Sequence, residues 1–81
     1  MPTLHLFEGI KVEVYSRDHL PPHIHLRYGG DEALLEIQSG AILAGHLPVS
    51  VLRKCRKWMK EDGRTAWLLQ NFYELNPGLK K

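Results

Sequence analysis

The chain has 81 residues, 43% hydrophobic and 25% charged, with a net charge of +2 and one cysteine. That composition excludes a disordered chain, and the net charge is too slight to imply nucleic-acid binding without a local cluster. A domain this small buries only about 60% of its unfolded surface, which excludes a large enclosed pocket and leaves a sheet face, a loop mouth or a subunit boundary for any site.

The first half reads as short strands punctuated by glycine. Leu4 and Leu6 alternate with His5 and Phe7, and Glu8-Gly9 forms a two-residue turn into Ile10–Tyr15. After Pro21-Pro22, Ile24 and Leu26 alternate with His23, His25 and Arg27. Gly29-Gly30 turns the chain into Ala33–Ile37, and Ser39-Gly40 turns it again into Ala41-Ile42-Leu43. The expectation is an antiparallel meander of four to five short strands over residues 3–44. Its apolar face should hold Leu4, Leu6, Ile10, Val12, Val14, Ile24, Leu26, Leu35 and Ile37. The opposite face should hold His5, Lys11, Glu13, His23, His25, Arg27 and Glu36.

From Leu47 the apolar period becomes helical. Pro48 suits a first turn, and Val51, Leu52, Cys55, Trp58 and Met59 draw one stripe. Gly63 fits the position just past the helix end. Thr65 can cap a second helix, lined by Leu68, Leu69, Phe72 and Leu75 and stopped at Asn76-Pro77-Gly78. The fold class is therefore α+β: a meander, then a two-helix hairpin over residues 48–75 packed on one sheet face, all in a single domain spanning 1–81.

Chemistry concentrates in Asp18-His19-Leu20-Pro21-Pro22-His23-Ile24-His25, which holds three of the five histidines. His23 and His25 lie two apart on a strand, with alpha carbons roughly 6.6 Å apart on one face. That spacing suits two imidazoles on one divalent transition metal such as zinc, with His19 as a third ligand if the proline segment bends. It also suits an acid and a base flanking a phosphodiester. The leading expectation is an RNA-directed or regulatory module with His23 and His25 as catalytic residues and Arg17, Asp18, His19 and Arg27 binding the ligand, ahead of a non-catalytic metal module or a protein-interaction module. A third reading leaves the histidines in solvent or bonded to backbone carbonyls beside a stiff proline crossing, with Asp18 capping a turn. Arg53, Lys54, Arg56, Lys57 and Lys60 line the helix side opposite its apolar stripe, as a solvated surface or as a track for RNA phosphates. Trp58 and Cys55 belong to the core, while Trp67 falls off the stripe.

The lone cysteine fits a reducing compartment, and the N-terminus lacks the basic and apolar regions of a secretion signal. No apolar run approaches the roughly 20 residues that span a bilayer. The expectation is a cytoplasmic protein with no membrane contact.

The combination of Met1-Pro2-Thr3, Phe7, Gly9-Ile10, Asp18-His19, Pro21-Pro22-His23, His25, Tyr28, Gly40, Gly45, Leu47-Pro48 and Trp58 resembles a bacterial family named domain of unknown function 4160. Ile24 and Phe72 stand where members usually carry Phe and Trp. The resemblance implies a small prokaryotic protein of unassigned activity, often encoded beside another short protein in an arrangement like a toxin–antitoxin module. Its partner would then be that neighbouring small protein, a second copy of the chain, or RNA. No catalytic role is carried over.

Overall fold

The computed structural model describes residues 3–79; Met1 and Pro2, part of the resemblance above, lie outside them, as do residues 80 and 81. Five strands form one antiparallel sheet in the order β1 (Thr3–Phe7), β2 (Ile10–Glu13), β3 (His23–Tyr28), β4 (Asp31–Glu36) and β5 (Ile42–Gly45). Two helices follow, α1 (Val49–Met59) and α2 (Arg64–Leu75), with a short 3-10 turn at Pro77–Leu79. The fold is the expected α+β meander with a helical pair on one sheet face.

Strand alternation and helical periodicity meet in one core. Ile10, Val12, Val14, Ile24, Leu26, Leu35 and Ile37 interlock with the α1 stripe and with Leu68 and Phe72 of α2, all at most 8% exposed. Cys55 lies at its centre, and burial pushes its thiol up to about 11, which makes it an inert apolar side chain. Trp67 is 40% exposed and meets Trp58 edge-on at the helix corner.

The first strand departs from expectation. Glu8 and Gly9 both have positive φ, 49° and 78°, as a tight two-residue turn requires, so Phe7 pairs with Ile10. Parity then places His5 opposite buried Val12 and Leu6 opposite exposed Lys11. His5 stacks on Trp58 at 5.2 Å on the helix side, and Leu6 is 63% exposed on the other face. The expected assignments of His5 and Leu6 are thus reversed. An extra residue, Leu4, disturbs the register between Thr3 and His5, and Leu4 still packs against the core.

The helix boundaries also shift. The first helix ends at Met59, so Gly63 does not follow it directly; with φ 73° it is the residue from which α2 starts. Thr65 does not cap α2. Its hydroxyl donates to the Met59 carbonyl and ties the two helix ends together. In the sheet, only glycine fits at position 45, where φ is +82° and a Cβ would lie 2.2 Å from the Glu32 carbonyl oxygen.

A candidate metal centre at the mouth of the β2–β3 loop

The segment joining β2 to β3 crosses the end of the sheet and is fastened there by α2. Asn76, 5% exposed just beyond α2, accepts the Asp18 backbone N–H through its Oδ1 at 2.7 Å. Its amide donates to the Tyr15 and Phe72 carbonyls, each at 2.9 Å. One side chain therefore joins the helix terminus to the first half of the loop at two points. The Leu20–Pro21 peptide within the loop is cis.

Asp18 sits at the focus of this arrangement. Its Oδ1 accepts the His19 backbone N–H at 2.9 Å, and its Oδ2 lies 3.0 Å from His23 Nε2 and 3.2 Å from His25 Nε2. Burial is the largest single influence and opposes its ionisation, but the His25 hydrogen bond, the His19 N–H and the electrostatic influence of His23 and His25 together outweigh it. The carboxyl is held below its ordinary value of 3.8.

His23 does not face solvent as expected; it is 1% exposed. Strand alternation turns it away from Ile24, yet the end of α2 closes over it, with Phe72 5.8 Å away between ring centroids. Its Nδ1 lies 2.8 Å from the Pro21 carbonyl oxygen. A carbonyl can only accept, so Nδ1 carries a proton and Nε2 is the ring nitrogen left to meet Asp18. That buried Nε2 forms no hydrogen bond, although the Asp18 carboxylate oxygen is within reach. An imidazole nitrogen and a carboxylate oxygen thus face each other in a nearly dry site, an arrangement that calls for a proton or a cation between them.

His25 completes the cluster from the next outward position of β3. Its ring stacks almost parallel on Tyr15, at 3.9 Å and 5°. The three donor atoms of Asp18, His23 and His25 lie within 4.8 Å of one another. Zinc bonds of ~2.0–2.2 Å in a tetrahedron imply ligand-to-ligand separations of roughly 3.3 Å. The Asp18-to-histidine distances of 3.0 and 3.2 Å are close to that edge length.

The other expected site residues divide. His19 stands at the rim, 81% exposed at its side chain, with Nδ1 3.2 Å from Asp18 Oδ1 and its ring 5.4 Å from that of His23. Arg27 is committed to its neighbours: Nε donates to Glu13 at 3.0 Å, and a terminal nitrogen donates to the Tyr15 hydroxyl at 3.0 Å and approaches Glu32 at 3.5 Å. Those partners hold its guanidinium more firmly protonated than usual, the Tyr15 hydrogen bond contributing most. Arg17, exposed with φ 57°, forms no ion pair among the described residues and does not join the cluster. Sequence reasoning missed Tyr15 and Asn76, and placed Glu13 on the outward face without giving it a role. Tyr15 and Glu13 share the outward strand parity of His25 across β2 and β3, a signal that was available; nothing local pointed to Asn76.

Residues 9–73 match the family described as Domain of unknown function (DUF4160). The chain belongs to that family. The match spans the whole Asp18–His25 segment of the DUF4160 domain and stops short of Asn76. No curated protein and no solved structure matches the chain. Among the described residues, no helix is long and apolar enough to cross a membrane.

Proposed function

We propose that the DUF4160 domain is a metal-binding module in which Asp18, His23 and His25 hold one divalent transition ion, zinc being the first candidate. The observation that carries this reading is His23 Nε2: buried, without a hydrogen bond, and 3.0 Å from the Asp18 oxygen that also meets His25. The donation from Nδ1 to the Pro21 carbonyl is the outer contact that orients a ligating imidazole. Two imidazoles and a carboxylate suit zinc, and equally iron, cobalt or nickel in their divalent states. His19, at the rim, is positioned to approach as a further ligand after rotating its side chain.

The alternative, acid–base cleavage of RNA by His23 and His25, needs both rings to reach a phosphodiester. Burial of His23 favours the metal reading over it. A regulatory role of toxin–antitoxin type, through a neighbouring small protein, is compatible with a metal module. Its support in the fold is the exposed edge strand β5, with Ile42 and Leu43 each more than 40% exposed.

The test uses untagged protein dialysed against chelator. Titration with zinc, followed by calorimetry and elemental analysis, should give one ion per chain. Asp18→Asn and His25→Ala should each weaken binding by at least about 100-fold, beyond the loss typical of outer-contact mutations. Cobalt should give a visible spectrum that His25→Ala abolishes. Absence of uptake for zinc, cobalt and nickel alike, in protein whose folding is verified by circular dichroism, would remove the proposal.

A further inference from the structure

The first helix carries a second polar feature, independent of the histidine cluster. Arg53, Lys54, Arg56, Lys57 and Lys60 place five of the chain's eleven Lys and Arg residues within eight positions, and residues 49–60 contain no acid. Five pairs among them stand three or four residues apart: 53 with 56, 53 with 57, 54 with 57, 56 with 60 and 57 with 60. Each such pair is a repulsion on a helix surface. The negative end of the helix dipole favours Arg56 and Lys57 in the last turn but gives less to Arg53 and Lys54, a turn earlier.

The rest of the domain does little to relieve this repulsion. Lys54 pairs with Glu8 at 3.0 Å, and Arg56 donates to the Gly40 carbonyl at 3.0 Å. Among the described residues, Arg53, Arg56, Lys57 and Lys60 have no carboxylate partner. They border an open groove of about 670 Å³ floored by Val49 and Leu52; the one acid at its end, Glu61, is turned to Arg64 at 2.8 Å. Elsewhere Arg27 meets Glu13 and Glu32, and Arg64 meets Glu61, while Lys11 and Arg17 stand singly without an ion pair among the described residues. Among the described residues, four of the six cations without a carboxylate partner thus share the α1 face.

We infer that this face binds the phosphodiester backbone of a nucleic acid, with Arg53, Arg56, Lys57 and Lys60 as the contact residues. At 1.5 Å per residue, Arg53 to Lys60 spans about 10.5 Å of helix. A duplex presents roughly six phosphates over that length, enough for each of four cations to take one. The helix offers point charges on flexible stems rather than a set of hydrogen-bonding groups matched to base edges, so recognition is of the backbone and not of sequence. The metal site plays no part in it, and either can fail alone.

The experiment is fluorescence anisotropy with two labelled probes, a single-stranded RNA and a duplex DNA of about 20 nucleotides or base pairs, across a salt series. Four contacts give a slope of log affinity against log salt near −2.8 for the single strand and −3.6 for the duplex, by the rule of about 0.7 and 0.9 per contact. Lys57→Glu and Arg53→Glu should each lower affinity about five- to tenfold and flatten the slope by about one. Lys11→Glu, an equal charge change on the opposite sheet face, should change affinity less than twofold. Thermal melts check that every variant is folded. Lack of binding to both probes in 50 mM salt overturns the inference, as does an equal loss with Lys11→Glu, which would reduce the effect to diffuse net charge. Binding of poly-glutamate as tight as that of the nucleic acids also overturns it, in favour of an acidic protein partner. Preference between the two probes identifies which backbone is used.

Discussion

At the mouth of the β2–β3 loop one carboxylate meets three imidazoles, and the inner side chains of that group are 2–13% exposed. Along α1, four cations meet no carboxylate among the described residues and border an open groove. The difference is one of surroundings. In a nearly dry pocket an unmatched polar atom is expensive, so position there has to be enforced by packing and by outer hydrogen bonds. On a solvated helix, water and salt screen each charge, and excess charge is tolerated without a fixed geometry. A site built the first way is specific and easily damaged by remote changes. A face built the second way tolerates substitution and responds to ionic strength.

Three substitutions test that contrast. The largest effect is expected at Phe72, fully buried and forming a wall beside His23. Phe72→Ala should cost about 3–5 kcal/mol in urea unfolding, and zinc affinity should fall as well although Phe72 offers no ligand. If stability drops while zinc binds as before, packing does not position the donors. Next comes Asn76→Ala, which removes the contacts to Asp18, Tyr15 and Phe72. Unfolding should become easier by about 1–3 kcal/mol, with zinc binding roughly tenfold weaker, as for loss of an outer contact. The smallest effect belongs to Lys57→Ala on the helix face, which should move the unfolding free energy by no more than about 0.5 kcal/mol. Equal penalties at Asn76 and Lys57 would erase the distinction between the regions.

How far the sequence could be read follows the same division. Turns at Glu8-Gly9, Gly29-Gly30 and Ser39-Gly40 mark the meander because glycine punctuates it locally, and the α1 stripe is visible because a helix repeats within one short window. His5 and Leu6 were assignable too. A two-residue turn makes Phe7 face Ile10, and the parity of the whole strand follows; the apolar character of Leu6 obscured it. That His23 and His25 share a strand parity was legible from spacing alone. The burial of His23 was not, because the ring that closes over it belongs to Phe72, forty-nine positions later. Asp18 read as a turn cap or a ligand-binding residue, and its first oxygen takes the His19 N–H, one position on rather than the two that a turn cap reaches. Its second oxygen gains its role only when the loop folds back over β3. Asn76 looked like a helix stop, and its bond to Asp18 spans 58 positions. Local pattern reports what neighbours in sequence do, and the site is made by neighbours in space.

The Asn76 latch also bears on biosynthesis. All three donors emerge early, by residue 25, but the group that locks their loop is made more than fifty residues later. A nascent chain therefore carries Asp18, His23 and His25 unanchored until α2 and Asn76 have been made, and on the proposed metal reading ion capture follows the docking of that helix rather than seeding collapse.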